Sequence, residues 1–141
     1  MGQKVEVYNS DGTLLRIEDT RTLEETKNEK KALVNQIRKD KISSGYTWNG
    51  NKWDIDPESM SILSNYCSAI SNGIELPDNF TWRSKENNNV SMNEVELSQL
   101  NAILINQINA IYNYSWQLKE TIDSISTLAE LDSFDIFIGW P

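Results

Sequence analysis

From Asn93 onward the sequence carries one sustained periodicity. Leu97, Leu100, Leu104, Ile108, Ile111, Leu118, Ile122 and Ile125 recur at intervals of three and four, and Ser115 stands in the one place where an apolar residue is missing. This spacing puts every one of those side chains on the same side of a helix. The chain must therefore build a helix over 94–125, about nine turns long, and cover its stripe with other segments. Asn93 followed by Glu96 is a capping box that satisfies the free N–H groups at the helix start. A chain of 141 residues has room for one core of ordinary size and little more, so the cover must come from nearby elements.

Those elements read as short hairpins alternating with helices. Val5 and Val7, then Leu14 and Ile17, flank the turn cluster Asn9-Ser10-Asp11-Gly12, which predicts strands near 4–8 and 13–18. Thr22 and Glu25 form a second capping box, and the Glu/Lys-rich stretch after it predicts a helix over 22–44 that Gly45 stops. Its apolar residues Leu23, Leu33, Val34, Ile37 and Ile42 make only a thin stripe, so the helix should lie largely in water or await a partner. Tyr46, Trp48, Trp53 and Ile55 surround an Asn49-Gly50 turn, a strong hairpin signal because both residues accept positive φ. Asp56-Pro57 then opens a helix carrying Met60, Leu63, Cys67 and Ile70, which Gly73 closes. Phe80 to Met92 predicts a third hairpin, and Thr127 with Glu130 a further short helix. The fold class expected is α+β: an N-terminal β-hairpin and long helix, then short antiparallel hairpins packed on two helices.

Charge divides the chain unevenly. Through Gly45 there are nine basic and eight acidic residues, a net of +1; after it there are four and thirteen, a net of −9. This places a boundary at Gly45, between an appendage of residues 1–45 and an acidic core domain of 46–141. The overall net charge of −8 repels nucleic-acid phosphate, so nucleic acid is not an expected partner. No apolar run approaches the length of a membrane helix, and no secretory signal opens the chain.

The inventory of reactive groups is thin. The sequence has no histidine, which removes Ser-His and Cys-His nucleophile pairs and imidazole metal ligands. Cys67 is alone, sits on an apolar stripe and reads as a small buried hydrophobe. Asp54 and Asp56 could share a hard cation, but Asp56 already serves as a helix cap and the further ligands of a calcium loop are missing. No catalytic, cofactor or metal residue is assigned, and no enzyme activity is expected. The aromatic residues are the notable feature. Trp48, Trp53 and Trp82 fall on hairpin strands and Trp116 on the long helix, where core positions are the ordinary reading. Phe134, Ile136, Phe137, Ile138 and Trp140 crowd a chain end that would otherwise fray, so they should dock on the domain or on another protein. Trp140, Phe137, Trp82, Trp48 and Trp53 are the residues expected to meet a partner.

The order of these features resembles a known family. A helix precedes Gly45-Tyr-Thr-Trp-Asn-Gly50, Trp53-Asp54-x-Asp56 and a serine-bearing helix. Trp82 follows, then Ser91 to Leu97 opening the long helix, Leu118-Lys119-x-x-Ile122-Asp123, Thr127-Leu128-x-x-Leu131 and a terminal Gly139-Trp140-Pro141. This set is similar to a domain-of-unknown-function family of tailed-phage genomes, encoded beside or fused to tail-fibre and tail-fibre-assembly proteins, and it spans roughly Lys31 to Pro141. The resemblance implies a non-enzymatic tail-fibre accessory, foremost an assembly chaperone that binds the fibre protein in the host cytoplasm. The alternatives are a structural component of the virion tail and an acidic inhibitor of a host defence protein. Self-association through the 22–44 helix is a further expectation. Many family members carry a His near Gln107 to Asn109, which this chain lacks.

Overall fold

The structure is a computed structural model and describes residues 2–141. In chain order the elements are β1 (Lys4–Tyr8), β2 (Leu14–Asp19), α1 (Leu23–Ser44), β3 (Tyr46–Trp48), β4 (Asn51–Trp53), α2 (Pro57–Ser71), β5 (Thr81–Arg83), β6 (Asn89–Ser91), α3 (Glu94–Ser124) and α4 (Leu128–Ser133). The fold is α+β, as the sequence predicts. Each sheet is a single antiparallel hairpin, β1 with β2, β3 with β4 and β5 with β6.

α3 is the spine. Its seam residues Leu97, Leu100, Leu104, Ile111, Leu118 and Ile122 are buried, and Ser115, the polar residue in their midst, is fully buried too. The Ser115 hydroxyl stays satisfied by donating to the Tyr112 carbonyl at 2.7 Å, so the exception in the pattern leaves no unpaired polar group. Ser115 also marks a division. The part of α3 up to Ile111 packs with Trp53, Ile55, Met60, Leu63 and Met92, whereas Leu118 and Ile122 pack with Val34, Leu131 and Ile136.

Two helices share the spine, both antiparallel to it. α2 covers the N-terminal half: Cys67 near its end lies with Sγ 3.8 Å from the Leu97 carbonyl, and Pro57 at its start lines a groove with Trp116. α1 covers the C-terminal half. Lys27 and Lys31 reach the Asp123 carbonyl and carboxylate, each at 2.8 Å, Asn35 accepts from Lys119 at 2.9 Å, and the Arg38 guanidinium lies over the Tyr112 ring at 4.9 Å. The expected boundary at Gly45 is thus one of charge, and the packing runs across it. Val34, on the near-neutral side, is fully buried in a cluster with Leu118, Ile122, Leu131 and Ile136 of the acidic side. Charge joins the two sides at one ion pair between α1 and α3, Lys31 with Asp123 at 2.8 Å.

Gly45 is where α1 turns into β3. Its φ is +78°, and a Cβ there would stand 2.5 Å from the Trp53 carbonyl oxygen, so only glycine lets the helix end press against the hairpin. The hairpins β3–β4 and β5–β6 lean on each other: the Lys85 N–H donates to the Lys52 carbonyl at 2.8 Å, and Lys85 pairs with Asp54 at 3.2 Å. Ribbon β1–β2 stands apart, with every residue of β2 exposed and only Val7 of β1 half-buried. It is fixed at its base, where Asp132 of α4 accepts from Arg21 at 2.8 and 2.9 Å and pairs with Lys4 at 3.1 Å.

Candidate functional site

The C-terminal segment divides by side chain into an anchor and a tip. Ile136 is buried among Val34, Leu118, Ile122 and Leu131, and half-buried Phe134 packs beside it under the Lys30 ammonium, 5.9 Å from the ring centroid. Trp140 packs against both cores. Its indole N–H donates to the Ile136 carbonyl at 2.8 Å, and its ring meets Tyr114 edge to face, centroids 5.0 Å apart at 74°. Tyr114 in turn donates its hydroxyl to the Ile138 carbonyl at 2.6 Å, and the Phe137 N–H donates to Asp135 Oδ1 at 2.8 Å. Gly139, at φ +82°, passes so close to Tyr114 that a Cβ would lie 2.4 Å from its hydroxyl oxygen.

These bonds fix the backbone of the turn, and they hold two large apolar side chains outward. Phe137 is 68% exposed and Ile138 66%. Beside them a groove of about 490 Å³ runs between α1 and α4, lined by Thr26, Leu33, Phe134, Ile136 and Phe137, with Leu33 itself half exposed. Rigid, exposed apolar side chains next to a groove are what a docking surface needs, because the ordering cost is met before the partner arrives.

The other expected partner residues lie elsewhere. Trp53 is 1% exposed, its indole N–H bound to the Trp48 carbonyl at 3.1 Å, so it belongs to the core and a partner cannot reach it. That expectation is corrected: β4 is short and turns its last side chain inward beneath α2 and α3. Trp48 and Trp82 are half-buried against the same core. Trp82 meets Tyr66 of α2 edge-on at 6.0 Å, and Tyr66 also packs on Phe80 at 5.2 Å. Trp140 is more anchor than contact, and of the five residues only Phe137 is freely presented.

Trp116, read from sequence as core, is 50% exposed. It follows Ser115 directly, about 100° around the helix from the buried stripe, and that offset was readable from the seam. With Tyr112 one turn earlier, ring centroid at 6.0 Å, it walls a groove between α2 and α3 lined also by Pro57, Met60, Ile105 and Ile108.

Several carboxylates have partners within the molecule. Asp56 caps α2, accepting from the Ser59 N–H at 3.1 Å and the Ser59 hydroxyl at 2.7 Å, and these bonds hold its carboxyl below the usual range. Asp54 pairs with Lys85 at 3.2 Å. The Arg21 guanidinium, with Lys4, keeps Asp132 far below the usual carboxylate range. Burial pushes the Cys67 thiol up, away from the reactive thiolate. Among the described residues no three potential metal ligands gather, and no helix is long and apolar enough to cross a membrane.

The fold and surface define a small α+β domain on one long helical spine, with an apolar tip held out from its C-terminal segment. A family described as "Domain of unknown function (DUF4376)" matches residues 25–136, and the chain belongs to that family. The match takes in α1 from Glu25 onward and leaves out ribbon β1–β2 and residues 137–141. No curated protein and no solved structure matches the chain.

Proposed function

We propose that the protein is a non-enzymatic tail-fibre accessory, an assembly chaperone that holds an unassembled fibre chain through the Phe137–Ile138 tip. The observation that carries the binding mode is the exposure of those two side chains, 68% and 66%, on a backbone fixed by Asp135, Tyr114 and Trp140. The choice of a phage tail fibre as partner rests on the sequence resemblance. In this reading the protein acts in the host cytoplasm during assembly, takes no cofactor, and binds neither nucleic acid nor membrane.

In this reading a fibre gene is expected beside this one, and co-expression with it tests the proposal. The fibre is expected to be soluble and trimeric with this protein and to aggregate without it. A fibre that trimerises equally well alone ends the chaperone reading. A structural place in the virion tail draws support from the ribbon, which projects from the packed domain as an anchor would. Mass spectrometry of purified particles separates the two, since a structural part is present in stoichiometric amount and a chaperone is absent. The inhibitor reading gains less, because Asp54, Asp56, Asp123 and Asp132 are occupied within the molecule.

A further inference from the structure

Packing accounts for every element except ribbon β1–β2. A two-stranded ribbon is marginal by itself in water, yet this one exposes Leu15 and Ile17 at 52% and 58%, and among the described residues no strand lies on the outer edge of β2. The direction of its free backbone groups follows from its register. Gln3 lies opposite Thr20, whose N–H donates to the Gln3 carbonyl at 2.9 Å, which makes this a closely spaced pair. Alternation along an antiparallel ladder then turns Glu18 and Arg16 toward β1 and leaves the N–H and C=O of Ile17 and Asp19 directed outward. An edge with free groups and no proline is a template for another strand.

We infer that the occupant of this edge is a second copy of the same chain, with β2 paired antiparallel to β2 about a two-fold axis at Ile17, so that two ribbons become one four-stranded sheet. Charge selects both the occupant and the register. With Ile17 opposite Ile17, Arg16 of each copy faces Glu18 of the other, on both sides of the axis. A slip of two residues one way sets Arg16 against Arg16, and the other way sets Glu18 against Glu18, and like charges directly opposite destabilise a sheet. A slip of one residue would oppose side chains that point to different faces. Within one chain Arg16 already bonds Glu18 at 2.8 and 2.9 Å, so the two are on the same face, and the dimer gathers two of each sign in alternation. The equivalent edge of β1 is less suited, because Lys4 is committed to Asp132 at 3.1 Å. An isologous contact of this kind closes on itself as a dimer. It places self-association on the ribbon in preference to α1, whose Val34 already faces α3, and it stands independently of the tail-fibre reading.

Charge reversal tests the pairing in the full chain by sedimentation equilibrium. The unaltered protein is expected to dimerise, and Arg16→Glu and Glu18→Arg each to raise the dissociation constant about tenfold or more, since two symmetric pairs turn from attractive to repulsive. An equimolar mixture of the two variants should re-form a dimer, because the glutamate introduced at position 16 of one copy then faces the arginine introduced at position 18 of the other. The double variant carrying both changes should dimerise for the same reason. Rescue by mixing cannot come from the pair within a chain. Both positions are exposed, so melting of the monomers, followed by circular dichroism at concentrations well below the dissociation constant, should not move. A monomer up to the sub-millimolar range, single variants that dimerise normally, or a mixture that stays monomeric would each overturn the inference.

Discussion

Trp140 stands edge-on to Tyr114 with ring centroids 5.0 Å apart, and the tryptophan itself packs against both halves of the core. The spine helix passes from one core to the other at Ser115, and Trp140 closes the same junction from outside. Trp140→Ala should therefore cost about 2–4 kcal/mol, the range for emptying a large aromatic site that is not wholly buried. Tyr114→Phe removes only the hydroxyl bond to Ile138 and should cost about 1 kcal/mol. Urea melts of both variants measure this, and a Trp140→Ala cost no greater than that of Tyr114→Phe would show that the tryptophan does not hold the junction.

Leu104 and Ile108 are one turn apart on the same seam and differ in surroundings. Leu104 is fully buried, whereas Ile108 is half-buried and lines the open groove between α2 and α3. Leu104→Asp strands a carboxylate among apolar side chains and should cost about 4 kcal/mol or more, a large part of the stability of a domain this size. An aspartate at 108 can reach water through the groove, so Ile108→Asp should remain folded with a lowered melting temperature. Equal loss of the circular dichroism signal in both variants would contradict the difference in burial.

What could be read from sequence was what sequence neighbours decide. Thr22, Asn93 and Thr127 cap their helices through side-chain oxygens, as their spacing to Glu25, Glu96 and Glu130 predicts, and Asp56 does so before Pro57. The α3 seam, with Ser115 in it, was equally legible, because periodicity is a local property. Less legible was which element covers which part of the seam. The stripe of α1 is thin and hardly more than Val34 is fully buried, so its place against α3 is set by lysines, Asn35 and Arg38 meeting groups about 70–100 residues away in sequence. The division of the C-terminal residues into Ile136 inside and Phe137 outside has no composition signal at all. It depends on where the Asp135 turn and the Tyr114 hydroxyl direct the backbone.

Acid should release the ribbon before it unfolds the core. In the folded chain the Arg21 guanidinium, with Lys4, holds the Asp132 carboxyl well below its unfolded value of about 4. A depressed carboxylate stabilises fully above that unfolded value, and the contribution is lost as pH falls below it toward the folded value. Asp19, lowered by the same guanidinium, follows the same direction. Amide resonances of Gln3 and Thr20 should therefore shift between about pH 4 and pH 2 while those of α3 hold, and Asp132→Asn should show the released pattern already at neutral pH. Ribbon resonances that move only together with those of α3 would mean that Asp132 is not the tie.

Phe137 and Ile138 separate folding from binding. Since both side chains are mostly in water, replacing them with aspartate removes little buried area, and the double variant Phe137→Asp/Ile138→Asp should melt within about 0.5 kcal/mol of the parent. Anchoring aromatic and aliphatic side chains at a docking surface commonly carry about 2 kcal/mol or more each, so under the proposed function capture of a fibre chain should fall by at least about thirtyfold. Trp116→Asp, at a half-exposed tryptophan on the α2–α3 groove, serves as the comparison. If capture in a pull-down with the co-expressed fibre survives at Phe137 and Ile138 and fails at Trp116, the docking surface is the α2–α3 groove. Loss at the tip alone, with the melting curve unchanged, assigns binding to the turn that Trp140 and Tyr114 hold in place.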